Sequence, residues 1–235
     1  MNEFCETVQR PIDDAGIQVV FADDAIVVLD KPSALLSVPG RGPDKQDCLS
    51  ARVQAQFSDA LVVHRLDMAT SGLIVMARGA EAQRTLSEAF ANRMVAKCYE
   101  AVVSGAVDAG TDDWRTIDLP IAVDWPNRPR RVINPENGKS SVTRLQVVHY
   151  DAQHDVTHVL LEPLTGRTHQ LRVHLQAIGH PILGDALYGP PEVLALSPRL
   201  LLHASKLCFA HPVTGQTLQF SCQRLKCVGE PYTKR

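Results

Sequence analysis

Leu61-Val62-Val63-His64-Arg65-Leu66-Asp67-Met68-Ala69-Thr70-Ser71-Gly72-Leu73-Ile74-Val75-Met76-Ala77 is the stretch from which the fold is read. Leu61–His64 and Leu73–Ala77 are short apolar runs of strand size, separated by a polar segment that ends on a glycine. Strands adjacent in sequence and joined by a short loop imply antiparallel pairing, because a parallel neighbour needs a longer crossover. The ionisable side chains of Arg65 and Asp67 then emerge where a buried strand stops. Immediately downstream, Ala82, Leu86, Ala89 and Phe90 recur near helical spacing and predict a helix over Ala80–Asn92.

Working outward, Ile17–Phe21 and Ala25–Leu29 form a predicted hairpin closed by Ala22-Asp23-Asp24, and Lys31-Pro32-Ser33 ends it because proline cannot continue a ladder. A loop containing Pro39, Gly40, Gly42 and Pro43 leads to a helix near Cys48–Phe57. Lys97–Val103 alternates as a strand, and residues 108–142, rich in Pro, Asp and Arg, read as an excursion from the core. Thr143–Tyr150 and Val156–Leu161 form another hairpin candidate. A helix is expected from about Thr168 to just before Gly179, which suits a left-handed cap, and Leu200–Ala210 and Thr217–Cys222 supply late strands. The fold class is α+β (mixed α/β), with a largely antiparallel central sheet flanked by helices and loops. The expected organisation is an extension at 1–16, one catalytic domain at 17–222 and a tail at 223–235.

The chain has 235 residues, 45% of them hydrophobic, enough for one sizeable core, and no apolar run approaches bilayer length. The acidic, non-apolar amino terminus (Glu3, Glu6, Asp13, Asp14) is not expected to be a signal peptide. Six cysteines without a CxxC pair suit a reduced, cytoplasmic protein, in which most serve as small core residues. The formal charge of -2 excludes an indiscriminate polycation, yet the charges are segregated. Acids crowd into residues 1–30 and 108–118, while Arg65, Arg128 to Arg144, Arg167 and Arg172 are read as gathering around the chemistry.

Several stretches carry groups that packing alone does not need. At His64 to Gly72 the alternatives are an Asx-type turn, with Asp67 bonding nearby backbone amides, or a reactive carboxylate. In Thr165-Gly166-Arg167-Thr168-His169-Gln170-Leu171-Arg172-Val173-His174-Leu175, His174 shares the apolar face and reads as a hydrogen-bonded core residue. His169 and Arg172 point to a polar partner. Arg167 precedes the helix, where the dipole disfavours a cation, so an anion is expected to compensate it. Arg128, Arg130, Arg131, Lys139 and Arg144, with Glu136 the only acid between Pro126 and Arg144, give a basic segment that reads as a solvated loop or a nucleic-acid contact. The histidine and cysteine spacings make no metal site, and no hydrolase elbow, phosphate loop or dinucleotide fingerprint is present, so no metal and no nucleotide cofactor are expected.

In order along the chain, these stretches resemble the RluA family of RNA pseudouridine synthases. The resemblance rests on Phe21 to Pro32, on His64-Arg65-Leu66-Asp67 with Thr70-Ser71-Gly72, on Lys97 and Tyr99 with Gly105, and on Gly166-Arg167-Thr168-His169-Gln170-Leu171-Arg172-Val173-His174. His180-Pro181-Ile182-Leu183-Gly184-Asp185, Tyr188-Gly189 and Leu202-His203-Ala204 continue it, over about residues 17–222. It implies an isomerase that converts uridine to pseudouridine in RNA without cofactor or metal. Asp67 falls on the essential aspartate, and Arg167 on the arginine that pairs with it, an opposite charge favouring the ionised form. Tyr99 falls on the tyrosine that stacks on the target base, Arg65 on an arginine that enters the space left by a flipped nucleotide, and Leu202 on a residue lining the base pocket. The compact form, without an amino-terminal S4 domain, and Asp124-Trp125-Pro126-Asn127-Arg128-Pro129 with Gly138-Lys139 resemble a subgroup acting on a 23S rRNA hairpin loop and on tRNA anticodon stem-loops. A monomer is expected, with no membrane or DNA partner. The alternative is a catalytically inactive RNA-binding or ribosome-assembly factor that keeps the fold.

Overall fold

The computed structural model describes residues 16–108, 114–222 and Leu225. The chain forms two compact units, one of the residues up to Lys97 with Ala204–Cys222, the other of Cys98–His203 with Leu225.

The first unit opens with β1 (Gln18–Ala22) and β2 (Ile26–Lys31), antiparallel as the β-branched runs predict, with a register shift between Val19 and Phe21. Asp23 closes the turn: its Oδ1 accepts the Ala25 and Ile26 amides, each at 2.8 Å, the Asx geometry that suits a short carboxylate in a turn. After α1 (Leu49–Gln56), the short β3 (Ala60–Val62) and β4 (Ser71–Arg78) pair antiparallel, and β4 also pairs antiparallel with β2. The first of these strands ends at Val62, two residues before the expected His64, whose Nε2 accepts the Val75 amide of β4. Then α2 (Ala80–Ala91) lays Ala82 and Leu86 on Ile26, Val28, Leu73, Val75 and Ala77, the residues of β2 and β4 that share one face. Each fully buried Leu, Ile or Val in this layer contributes about 1.5–3 kcal/mol.

The chain passes into the second unit within β5 (Ala96–Ser104). There β6 (Arg115–Asp118), β7 (Ile121–Val123), β8 (Arg131–Ile133), β9 (Val142–Asp151) and β10 (Val156–Pro163) follow. The strand order is β5-β10-β9-β6, all antiparallel. The excursion expected over 108–142 is therefore only partly one: β6 closes onto the edge of the sheet, and β7 with β8 forms a separate two-stranded sheet. Ile117, buried among exposed residues of β6, is the anchor that a count of Pro, Asp and Arg does not reveal.

Next come α3 (Gln170–Ala177) and α4 (Pro191–Ala195). Gly179, at φ 88°, ends α3 as predicted: its amide bonds the Gln176 carbonyl at 3.1 Å, and the His180 amide bonds Leu175 at 2.9 Å. The chain returns to the first unit in β11 (Leu202–Ala210), which pairs antiparallel with β12 (Thr217–Ser221). Gly72 (φ 109°) is where β4 meets the backbone of Ala204; any side chain there would collide with that residue's N and O. The described cysteines Cys48, Cys98, Cys208 and Cys222 form no disulfide, whereas Cys5 and Cys227, like the predicted extension and most of the predicted tail, lie outside the described residues. No helix among the described residues is long and apolar enough to cross a membrane.

Candidate active site

Arg65 and Asp67 share the loop from the end of β3 to β4, Arg65 exposed and Asp67 half-buried, with buried Leu66 between them. The turn closes through the Asp67 carbonyl, which accepts the Thr70 amide at 3.1 Å. What holds the loop comes from residues 31–37, some thirty positions earlier. Ser37 Oγ donates to the Leu66 carbonyl at 2.7 Å and accepts its amide at 3.1 Å. Ser33 Oγ donates to the Ala69 carbonyl at 2.7 Å, and Lys31 Nζ donates to the Met68 carbonyl at 3.1 Å. Backbone on both sides of Asp67 is thus pinned by side chains, and a loop that would otherwise sample many conformations presents one.

His64 belongs to this support. Its Nε2 accepts the Val75 amide at 3.1 Å, and its ring stacks on Phe90 with centroids 4.2 Å apart. Desolvation, with repulsion from Lys97, pushes its pKa down to about 3, so near neutral pH the imidazole is uncharged and free to accept. It is a strut, and the proton-transfer chemistry near pH 7 falls to other groups.

In the second unit Arg167 stands exposed on the loop before α3. Gln170, 4% exposed, organises that loop with every polar group of its amide in use. Oε1 accepts from Thr165 Oγ1 at 2.7 Å and from the Arg167 amide at 3.0 Å; Nε2 donates to the Val142 carbonyl and to Thr143 Oγ1, both at 3.0 Å. The Arg167 guanidinium donates through Nε to the Ser140 carbonyl at 3.3 Å.

His174 is the core residue predicted, fully buried, with Nδ1 at 3.0 Å from Thr143 Oγ1 and Nε2 at 2.9 Å from the Leu119 carbonyl. Arg172 finds its polar partner in Asp185, through Nε–Oδ2 at 2.8 Å and NH2–Oδ1 at 2.6 Å. That pair is buried, which corrects one expectation: Arg172 is neutralised inside the unit and adds nothing to a basic surface. Arg144 is likewise engaged, bonded to Glu162 at 2.8 Å and stacked on Trp114.

The basic cluster that remains lies on and around the β7–β8 hairpin. Trp125 is 68% exposed, with the Arg128 guanidinium 3.5 Å from its ring centroid. Arg130 lies over the Tyr188 ring at 5.6 Å, and the Arg131 amide donates to the Tyr188 hydroxyl at 2.9 Å. The same hydroxyl is 2.7 Å from His169 Nδ1, and Ile121, Val173 and Tyr188 pack together beneath. Tyr188 therefore joins the cationic hairpin to the His169–Arg172 block, a link with no trace in sequence spacing. Tyr99 is half-buried in β5 opposite Leu161, and Leu202 is a core residue at 3% exposure.

A model of RNA pseudouridylate synthases matches residues 25–177. The chain belongs to the RNA pseudouridylate synthase family. It is 49% identical over 205 residues to a dual-specificity RNA pseudouridine synthase RluA of Yersinia pestis, spanning 87% of this chain and 98% of that one. It is 45% identical over 211 residues to the protein of the same name from Escherichia coli K12, spanning 90% and 94%. Among solved structures it resembles human RNA pseudouridylate synthase domain containing 1, at TM-score 0.74 and 29% identity over 91% of this chain and 86% of that one. Human RNA pseudouridylate synthase domain containing 4 follows at 0.69 and 26%, over 88% of each. The chain is an RNA pseudouridine synthase, an isomerase.

Proposed function

We propose that this pseudouridine synthase isomerises uridines in two kinds of folded RNA, a 23S rRNA hairpin loop and the anticodon stem-loop of tRNA, with Asp67 as the reacting carboxylate. The observation that supports Asp67 most directly is its position: half-buried, on a turn whose backbone is pinned on both sides, beside an exposed arginine. The reaction conserves atoms. The bond from N1 of uracil to C1′ breaks, the base turns, C5 bonds C1′, the C5 proton leaves and N1 gains one. A carboxylate can open this sequence by attacking C1′, by adding to C6 or by removing the 2′ proton, and no dissociable group is needed for any of them.

The target base must leave its stack, at a cost of a few kcal/mol, before a protein group reaches C1′. Arg65, exposed beside Asp67, is suited to occupy the space the nucleotide vacates. Tyr99 stacks on the base, Leu202 lines its pocket, and Arg167 pairs with the reacting carboxylate. Arg128, Arg130 and Arg131, on the hairpin with Trp125, hold the phosphates of a loop recognised by shape and splayed bases. The enzyme works as a monomer in the cytoplasm, without a membrane or DNA partner.

Incubation with a 23S rRNA hairpin and, separately, with a tRNA anticodon stem-loop, followed by chemical mapping of pseudouridine, tests the substrates. Conversion in only one RNA overturns dual use. Asp67→Ala is expected to lower conversion by at least about 10³-fold while RNA is still bound. Full conversion by that variant removes Asp67 from the chemistry. Binding without conversion by the unaltered protein would instead support a non-catalytic RNA-binding or assembly factor.

A further inference from the structure

Two three-residue strands do not hold a shape by themselves, since a lone hairpin is only marginally stable in water. The β7–β8 hairpin, with Trp125, Arg128, Arg130 and Arg131, therefore takes its orientation from what it rests on. At its base the Asn134 amide bonds the Pro120 carbonyl at 2.9 Å, and Ile121 is buried against Val173 and Tyr188. Nearer the loop that joins the strands a side chain takes over. The Arg131 amide, at the start of β8, donates to the Tyr188 hydroxyl at 2.9 Å.

Tyr188 is itself held firmly. It is 5% exposed, and its amide and that of Leu187 both bond Oδ1 of Asp185, at 3.1 and 2.9 Å. That carboxylate also holds Arg172, whose guanidinium lies over the Tyr188 ring, as does that of Arg130. A buried phenol needs a partner for its hydroxyl, and this one has partners in two separate elements. A hydroxyl accepts and donates at once, so it takes the Arg131 amide and still bonds His169 Nδ1 at 2.7 Å. His169 stands at the start of α3, two residues after Arg167, in a left-handed conformation (φ 58°) that is uncommon outside glycine.

We propose that Tyr188 is a positioning residue for RNA binding: its hydroxyl, bonded to Arg131 on one side and His169 on the other, fixes the β7–β8 hairpin against the start of α3. The inference rests on the reading of Arg128, Arg130 and Arg131 as RNA contacts. Tyr188, being buried, acts through the hairpin rather than by touching RNA. Without the hydroxyl the hairpin still forms and keeps its charge, but it must be ordered at the moment of binding, and that lost freedom weakens affinity. The bound nucleotide reacts as before, so the loss falls on KM. A tyrosine serving stability alone would lower the urea midpoint and leave KM as it is.

The experiment measures kcat, KM and Kd on the 23S rRNA hairpin and on the tRNA anticodon stem-loop, over a range of salt. The full chain is compared with Tyr188→Phe, His169→Asn, the joint replacement of Arg128, Arg130 and Arg131 by Ala, and that triple variant carrying Tyr188→Phe as well. Urea unfolding shows that each is folded at the assay temperature. Tyr188→Phe keeps the ring and its packing, and is expected to raise KM and Kd about 10-fold with kcat unchanged. Added to the triple variant it has little further effect, because residues that act through one another are not additive. Asparagine tolerates the left-handed backbone but is too short to reach the hydroxyl, so His169→Asn raises KM by a smaller factor. It decides the matter alone if Tyr188→Phe does not fold. The proposal is overturned if Tyr188→Phe keeps the wild-type KM, if its loss lies in kcat, or if its effect adds in full to that of the triple variant. A triple variant with wild-type Kd and salt dependence means that the reading of the hairpin fails. A weakened triple variant beside an unaffected Tyr188→Phe sinks the Tyr188 proposal alone.

Discussion

The loop that carries Asp67 and the loop that carries Arg167 solve one problem by opposite means. Both must present a charged side chain from irregular backbone. The Asp67 loop is tied by an ammonium and two hydroxyls reaching from residues 31–37. The Arg167 loop is tied by the amide of Gln170, a group that never titrates near neutral pH. Beneath Gln170, charge is settled within the unit by the buried Arg172–Asp185 pair. The Asp67 loop is thus held by a cation and two hydroxyls, the Arg167 loop by a neutral amide.

The strongest test of the neutral side is Asp185→Ala, which leaves Arg172 buried without its partner and strips acceptors from the Leu187 and Tyr188 amides. Loss of stability by about 3–5 kcal/mol is expected in urea unfolding; a loss under 1 kcal/mol would show that this pair does not support the Arg167 side. Arg167→Lys should lower kcat/KM by about 100-fold with stability unchanged, because a point-charge ammonium cannot reproduce a planar two-donor contact. Near-wild-type turnover would end the assignment of Arg167 as a partner of the carboxylate.

Gln170→Leu sharpens the contrast most directly. It leaves the Thr165 hydroxyl and Arg167 amide without their acceptor, and activity should fall about 10-fold by the same factor at every pH from 6.5 to 9.5. A pH-dependent loss would erase the distinction between the two loops. Replacing Arg128, Arg130 and Arg131 together by Ala should leave kcat at saturating RNA unaltered and reduce the slope of log affinity against log salt by about 2. An unchanged slope removes the hairpin from the RNA footprint. The smallest effect is expected for Ser37→Ala, about 1 kcal/mol of thermal stability, since only the Leu66 backbone loses its partner.

Much of this was legible in the residues. Alternation and apolar runs set out the hairpins, Asp23 marked a turn, Gly179 marked the end of α3, and the family resemblance rests on ordered blocks that include Asp67, Tyr99 and Arg167. The misreadings share one cause. A helical projection places Arg172 on a polar face but cannot say that Asp185, thirteen residues on, fills that face. Counting Arg144 in the basic segment likewise overlooks Glu162 on the neighbouring strand. The strand β6 was hidden because one buried Ile117 in a polar stretch leaves no periodic signal.

By itself, then, the sequence determined which residues are chemically capable and which local elements carry them, because periodicity, turn chemistry and motif order act over a few residues at a time. Only the tertiary structure decided which charges remain available and what holds the reactive loops still. Lys31, Ser33 and Ser37 bond backbone carbonyls, which every residue offers, across about thirty positions of chain, so nothing in residue type announces the pairing. That partnership exists only once β2 and β4 lie side by side.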